Sequence, residues 1–421
     1  DKLTAFEAIS KGIGTSAETF LPAYPFEDLI RGVHFCSYLR QHETLGKYFE
    51  EFAKAKNNEP EILLAFTLQY VLRVTKITKP TFPVFSAPNE FTKNLLRSLS
   101  NSSELNGVSP LESLKIKKAP FYELEEGSFL MLDPTFVIDK CFRALIYDFW
   151  FDIIKPAKEI NIRTYMGAVG YFFEDYVGQR IKGAFPYYKY PAPKVTNELI
   201  AGPKNQELAD FYVRNNKKVL LGQVKVSFIN SKMKFETDAA TLYFNDKRGL
   251  YKTFGLYQMV ESIRKLIEKP EWIDKAFPKG KKIQIYPVIV YADRFLQTPL
   301  MNVNFQKEFM KQLKNSFSGV KIPNQYYHEV VINNISIKPI TLMYIGDLES
   351  IEPYLANKTI NIWEQLKTFY FYDGLQSPFI YSLMAKQRKL KESGRDYLFD
   401  QIRPMLENVQ KFQNSRIEHQ N

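Results

Sequence analysis

The stretch Lys282 to Tyr291, Lys-Ile-Gln-Ile-Tyr-Pro-Val-Ile-Val-Tyr, restricts the fold more than any other. Its side chains are apolar and β-branched on consecutive positions, which predicts a buried strand. The apolar run from Ile285 to Ala292 is far shorter than the ~20 residues needed to span a bilayer. Around it the periodicities predict a helix over Thr164–Lys182 and strands over Phe185–Tyr190, Leu208–Arg214 and Val219–Phe228. A helix over Gly249–Glu268 and a further strand over Ile340–Ile345 complete the set. Helices interleaved with strands in this order predict a mixed α/β sheet.

The flanks read as helical. Phe26–Tyr38, Leu45–Ala55 and Glu61–Val74 carry apolar residues at three- and four-residue spacing. Lys79 to Asn89 holds Pro80, Pro83 and Pro88 and is expected to be irregular. Phe121–Leu124 and Ser128–Leu132 predict a hairpin. Asp133 then caps, and Pro134 opens, a helix expected to run through Ile154 and close at Pro156. After Leu348–Ala356 and Ile360–Tyr370, further helices are expected over Pro378–Ser393 and Tyr397–Phe412. These patterns suggest three parts: a mainly helical domain over 1–157, a sheet-bearing core over 158–346, and C-terminal helices over 347–421.

The 421 residues include 57 basic and 46 acidic side chains. Residues 1–150 hold 17 basic and 19 acidic, and residues 346–421 hold ten of each. The segment 151–345 therefore keeps 30 basic against 17 acidic. A basic segment between near-neutral ones suggests a polyanion partner, because Lys and Arg gain affinity by releasing counterions from phosphates. Cys36 and Cys141 are too few for a disulfide framework. The opening Asp-Lys-Leu-Thr-Ala-Phe lacks the layout of a signal peptide. A cytoplasmic protein with no membrane partner is expected.

Chemistry concentrates in Glu207-Leu-Ala-Asp210-Phe-Tyr-Val-Arg214-Asn-Asn-Lys-Lys-Val219-Leu-Leu-Gly222-Gln223-Val224-Lys225. Gln223 and Lys225 point the same way on a strand. A four-residue loop over 215–218 pairs Arg214 with Val219 and sets Asp210 opposite Gln223. A two-residue loop is expected to shift the pairing and leave Asp210 opposite Leu221, within diagonal reach of the same face.

This layout resembles the PD-(D/E)XK nuclease superfamily. There a helical Glu precedes a hairpin Asp, followed by an acid two positions before a Lys. The matching residues are Glu174 in Gly170-Tyr-Phe-Phe-Glu-Asp-Tyr-Val, then Asp210, Gln223 and Lys225, within roughly residues 160–345. Two departures stand out: Ala209 replaces the Pro before the Asp, and Gln223 replaces the acid. No Lys in the chain has an acid two positions before it, so the site is a variant. Asp175 lies about 100° from Glu174 on a helix and is the weaker choice.

The resemblance implies a restriction-endonuclease-like core and a Mg²⁺-dependent DNA endonuclease, with Mn²⁺ as a substitute ion. Restriction, phage defence or mobile-element biology is its implied setting. Asp210, the Gln223 side-chain oxygen and the Val224 carbonyl would hold the metal, and Glu174 would act through a water or on a second ion. Lys225 would orient water or offset charge. The alternative suggested by Gln223 is an inactive nuclease-fold subunit for DNA binding or assembly. Lys232, Lys234, Lys247, Arg248 and Lys252 mix with Phe235, Tyr243, Phe244, Tyr251 and Phe254, a composition that suits a strand-tracking surface. Some nucleases of the superfamily add a Gln with a Tyr four positions later. Here Gln258 is followed at that spacing by Ser262. No Gly-rich phosphate loop occurs, so no nucleotide cofactor is expected. A separate protein partner or a homodimer is compatible with cleavage of both strands.

Overall fold

A computed structural model of the chain describes residues 26–55, 60–74, 83–101, 115–125, 127–187, 192–202, 205–228, 247–278, 280–297, 299–317, 328–369, 403 and 407. The architecture is mixed α/β. No helix among these residues is long and apolar enough to cross a membrane. The chain divides into two compact units, one of Glu18–Ala168 with Arg395–Asn421 and the other of Asp1–Ala17 with Val169–Gly394. This differs from divisions at 157/158 and 346/347. The first boundary falls inside a helix, and residues 347–394 group with the sheet while 395–421 do not.

In the first unit, α1 (Phe26–Gln41), α2 (Gly46–Ala55) and α3 (Pro60–Val74) precede a small sheet. β1 (Val84–Ser86), α4 (Glu90–Ser98), β2 (Ser100–Asn101), β3 (Phe121–Glu125) and β4 (Ser128–Met131) follow, with strand order β1-β4-β3-β2. The proline-rich segment is therefore not wholly irregular. Its prolines flank β1 rather than interrupt it, and β1 is an edge strand, where proline is tolerated. Asp133 caps α5 (Pro134–Asp139), accepting from the Thr135 N–H at 2.7 Å. The expected long helix breaks after Asp139 and resumes as α6 (Arg143–Phe149). The break brings the Cys141 carbonyl so close to α1 that a Cβ on Gly32 would lie 1.8 Å from it. Beyond α6 the helix widens over Trp150–Ile154 and runs through Pro156 to Ala157, so Pro156 lies in the last turn instead of closing the helix.

The second unit holds α7 (Ile162–Ala184) from Val169 onward, β5 (Lys194–Val195), β6 (Ile200–Ala201), β7 (Gln206–Glu207), β8 (Phe211–Asn215) and β9 (Lys218–Lys225). Then come α8 (Lys247–Thr253), α9 (Leu256–Glu268), α10 (Pro270–Ile273), β10 (Ile283–Tyr291) and α11 (Pro299–Ser316). The unit's remaining elements are β11 (Val330–Ile332), β12 (Ile335–Ile337), β13 (Thr341–Tyr344), α12 (Ile345–Ala356) and α13 (Ile362–Phe369). The main sheet runs β11-β12-β10-β9-β8-β5, with β13 also on β10. β10 pairs in parallel with β9 along one edge, and with β12 and then β13 along the other. Its apolar run is buried almost throughout, as a central parallel strand requires.

Several expected elements change in detail. Phe185–Tyr187 is a turn rather than a strand, and residues 188–190 lie outside the described set. The first hairpin strand starts at Phe211, not Leu208. Gly255, at φ +75°, splits the expected helix 249–268 into α8 and α9. The helices expected over 378–393 and 397–412 lie outside the described residues, apart from 403 and 407.

The β8–β9 ladder pairs Arg214 with Val219 and closes at Asn215–Lys218. The turn is thus two residues long, yet the register is the one the longer loop implies, because Asn215–Lys218 is simply the next rung. Asn216 takes φ +52°, a conformation Asn tolerates better than most residues. Tyr212 and Arg214 both donate to buried Asp274, at 2.8 and 2.5 Å, which ties β8 to the segment after α10.

Gly222 faces Phe211 across the ladder, and a Cβ there would lie 1.9 Å from the Phe211 ring. Phe211 is fully buried and has nowhere to retreat. Gly222→Ala is therefore expected to destabilise the chain by about 1–3 kcal/mol, the range for overpacking, read from urea unfolding.

Asp347, in the first turn of α12, is buried and accepts from the Tyr344 N–H at 3.2 Å. Burial, with Glu349 nearby, pushes its carboxyl up to about 8. A folded-state value above the unfolded one favours the fold at low pH, and that contribution is lost as pH rises from about 4 through about 8. Asp347→Asn keeps an acceptor for Tyr344 and carries no charge. Its melting temperature should fall less than that of wild type between pH 5 and 8, and equal slopes would refute the assignment.

Candidate active site

The hairpin register sets Asp210 at the start of β8, opposite Gln223 on β9, and the Asp210 N–H donates to the Gly222 carbonyl at 3.0 Å. β8 begins one residue later, so beyond this point the β9 edge has no β8 partner. The Asp210 side chain takes that place, with Oδ2 accepting from the Val224 N–H at 2.6 Å. A residue's N–H and C=O point to the same side of a strand. The Val224 carbonyl therefore faces the same edge as Asp210.

Lys225 sits two residues after Gln223, and its Nζ lies 3.6 Å from Asp210 Oδ2. Its stem passes over Gly255, where a Cβ would come within 2.7 Å of Lys225 Cε. The helix break at Gly255 is thus the space through which Lys225 reaches the site.

Gln223 is 3 % exposed. Its Nε2 donates to Ser262 Oγ at 3.1 Å, and Ser262 Oγ in turn donates to the Gln258 carbonyl at 2.8 Å. Because the Ser262 proton is already committed, its oxygen must accept from Gln223. This fixes the amide orientation and turns Oε1 away from Ser262. Ser262, the residue that departs from the Gln–Tyr helix pattern, is what holds Gln223. Gln258 contributes its backbone carbonyl, while its side chain lies beside Gly255.

Glu174, half-buried on α7, joins the group electrostatically. Burial first, then the Asp210 and Glu207 carboxylates, push its carboxyl up to about 7, while Lys225 opposes the shift. Asp175 instead faces solvent and accepts from Gln179 at 2.7 Å. Asp210 is raised mainly by its burial, against Lys225 and the Val224 N–H.

Glu207 has no place in the sequence pattern, yet its carboxyl and that of Asp210 influence each other electrostatically. Burial of the carboxyl and then Asp210 push it up to about 7, although the residue as a whole is exposed. An acid three positions before Asp210 has no periodic signature. The apparent signal was the hairpin itself, and only the fold brings β7 back to it.

The acidic side chains, the Gln223 amide and the Val224 carbonyl form a hard-oxygen donor set of the kind Mg²⁺ and Mn²⁺ prefer. Among the described residues, no three His, Cys, Asp or Glu side chains gather into a metal-holding group. Any ion here would thus rest on fewer acids, with amide and backbone oxygens completing its protein share.

The basic residues divide. Lys232 and Lys234 lie outside the described residues, Lys247 and Arg248 open α8, and Lys252 is exposed on its last turn. Of the aromatics between them, Phe235, Tyr243 and Phe244 also lie outside the described residues. Tyr251 and Phe254 are buried, Tyr251 packing edge-on against Phe305 at 5.1 Å. These two are core residues, not strand contacts. No protein-family profile, curated protein or solved structure matches the chain.

Removing the Ser262 hydroxyl leaves the buried Gln223 amide without its acceptor. Ser262→Ala is expected to lower unfolding free energy by about 1–3 kcal/mol, the desolvation penalty of a stranded donor. Denaturant unfolding measures it.

Proposed function

We propose that the chain is a Mg²⁺-dependent DNA endonuclease with a restriction-endonuclease-like, PD-(D/E)XK core. The observation that carries this reading is the meeting of Asp210, Gln223 and Lys225 on one strand pair, with the Lys225 ammonium 3.6 Å from the Asp210 carboxylate. Glu174 approaches the same point from α7.

In this reading Asp210, Gln223 Oε1 and the Val224 carbonyl hold the metal, and Glu174 acts on it through a water or on a second ion. The bound cation supplies polarisation of the scissile phosphate and activation of a water. Lys225 places its ammonium where negative charge grows in the transition state and orients the attacking water. The Val224 N–H fixes the Asp210 carboxylate, and Ser262 fixes the Gln223 amide. Neither group needs to reorganise during the reaction. Exposed Lys252 offers positive charge for the DNA backbone. The buried Cys36 and Cys141 thiols suit a reducing cytoplasm.

The test is cleavage of plasmid and linear DNA with Mg²⁺ or Mn²⁺ by wild type, Asp210→Ala and Lys225→Ala. Each substitution should lower the rate by about 10²–10³-fold, the loss typical of removing one transition-state group. Equal cleavage by all three would sink the reading. Binding of DNA without cleavage by the wild type would favour the inactive subunit suggested by Gln223.

A further inference from the structure

A cavity of about 400 Å³ lies at the end of β9 away from the candidate active site. Asn215, in its wall, pairs with Lys218 where the hairpin turns. Lys225 lies at the other end of β9, about 23 Å further along at the usual rise of a strand. The turn after α7 brings Phe185 and Tyr187 to the cavity. The link between α12 and α13 brings Lys358, and the start of α13 brings Asn361 and Trp363. The volume falls in the range of small-molecule sites, and the lining mixes flat apolar rings with a few polar groups, as such sites do.

Lys358 is held in an unusual way. It takes φ +61°, one residue past the cap of α12, a left-handed position that glycine fills most easily. Its N–H donates to the Leu355 carbonyl, and the Ile360 N–H to the Tyr354 carbonyl, both at 3.1 Å, so the backbone is closed onto α12. The ammonium lies 4.5 Å from the centre of the Tyr187 ring. Tyr187 is itself 59 % exposed, so the ring is open to a ligand. Asn361 Oδ1 accepts from the Trp363 backbone N–H at 3.1 Å, which orients the amide and leaves Nδ2 to donate. Trp363 is buried, edge-on to Tyr286 at 5.3 Å, and its indole N–H has no acceptor among the described residues.

We propose that this cavity binds a nucleotide. A base stacked on the Tyr187 ring sets its phosphate beside the Lys358 ammonium, and acceptors on the base meet the Asn361 amide. A simple anion would use Lys358 alone, and an apolar ring would leave both the amide and the ammonium idle. The Trp363 indole N–H is reached only by a shift of its ring, which would give that stranded donor the acceptor it lacks. Glu364, the acid that follows Trp363, pairs with Lys218 at 3.7 Å, so its charge is offset. The same chemistry fits a free mononucleotide or one nucleotide of a strand. The cavity shares no residue with the candidate active site, and the inference does not rest on the endonuclease reading.

The full chain is titrated by calorimetry with dAMP, deoxyadenosine, inorganic phosphate and a short single-stranded oligodeoxynucleotide. EDTA is present, so that no cation at Asp210 can hold a phosphate. The variants are Lys358→Gly, Tyr187→Ala and Asp210→Asn, each checked for folding by circular dichroism. Glycine suits the left-handed backbone at 358, so Lys358→Gly removes the ammonium without straining the fold. It should weaken dAMP binding at least about tenfold, the loss of one charge-assisted hydrogen bond. Tyr187→Ala should weaken it about 5- to 100-fold, the span for one stacked base. Asp210→Asn should leave it unchanged, and deoxyadenosine and phosphate should each bind more weakly than dAMP. An oligonucleotide bound more tightly than dAMP, with the same dependence on Lys358 and Tyr187, supports the site and identifies a strand as the source. The proposal is overturned by dAMP affinity that is unchanged in Lys358→Gly and Tyr187→Ala, or that depends on Asp210. Absence of saturable binding of both dAMP and the oligonucleotide at millimolar concentration overturns it as well. None of these results bears on cleavage by the candidate active site.

Discussion

Parallel pairing of β9 with β10 holds eight consecutive residues of β9, Lys218 to Lys225, against Gln284 to Tyr291. This contact fixes the site more firmly than any bond within it. β10 is buried along nearly its whole length and flanked on its far edge by β12 and β13, so it cannot slide. β9 inherits that fixed register and passes it to β8 through the antiparallel ladder. Asp210 then lies opposite Gln223 because the centre of the sheet permits no other arrangement.

The open edge of β9 follows from the same frame. β8 starts at Phe211, so on that edge the last residues of β9 have no strand beside them among the described residues. A bare N–H at Val224 would carry the cost of a buried unpaired donor. The Asp210 carboxylate meets that need, and in doing so is held in one orientation. A group that completes the backbone hydrogen bonding is also the group that presents negative charge beside Lys225. Structural demand and chemical use fall on one side chain.

What the amino-acid sequence revealed, and what it hid, divides along physical lines. The strand at 283–291, the hairpin around Asn216 and the helix bearing Glu174 were legible because each rests on local periodicity or turn chemistry. Asp210, Gln223 and Lys225 followed, since strand alternation and a register carry them to one face. The break at Gly255 was not legible: the room it leaves is filled by the Lys225 stem, a contact between residues thirty positions apart. Ser262 read as a failed pattern, because its value lies in where it sends its proton rather than in its spacing. Glu207 was hidden for a related reason, as two-residue strands such as β6 and β7 are too short to leave a period. β1 was missed because prolines mark an edge strand and an irregular loop alike.

The electrostatics of the site join the local geometry to the charge of the whole segment. Glu174, Glu207 and Asp210 all sit above the ordinary carboxylate range, first because each carboxyl is at least partly removed from water. Lys225 is the one ammonium that opposes all three. Even with their ionisation weakened by that shift, the acids lie within the segment whose formal excess of basic residues is the largest in the chain. In the proposed endonuclease, DNA would be drawn to the surrounding charge and repelled by any charge left at the centre, unless a cation docked with it and reversed the local sign. Gln223 lowers that barrier relative to a fourth acid, and Ser262 holds it where its oxygen can still contribute. In the proposed endonuclease, this arrangement would trade ion affinity for a weaker buried repulsion, with the neutral Gln223 as a working part of the site.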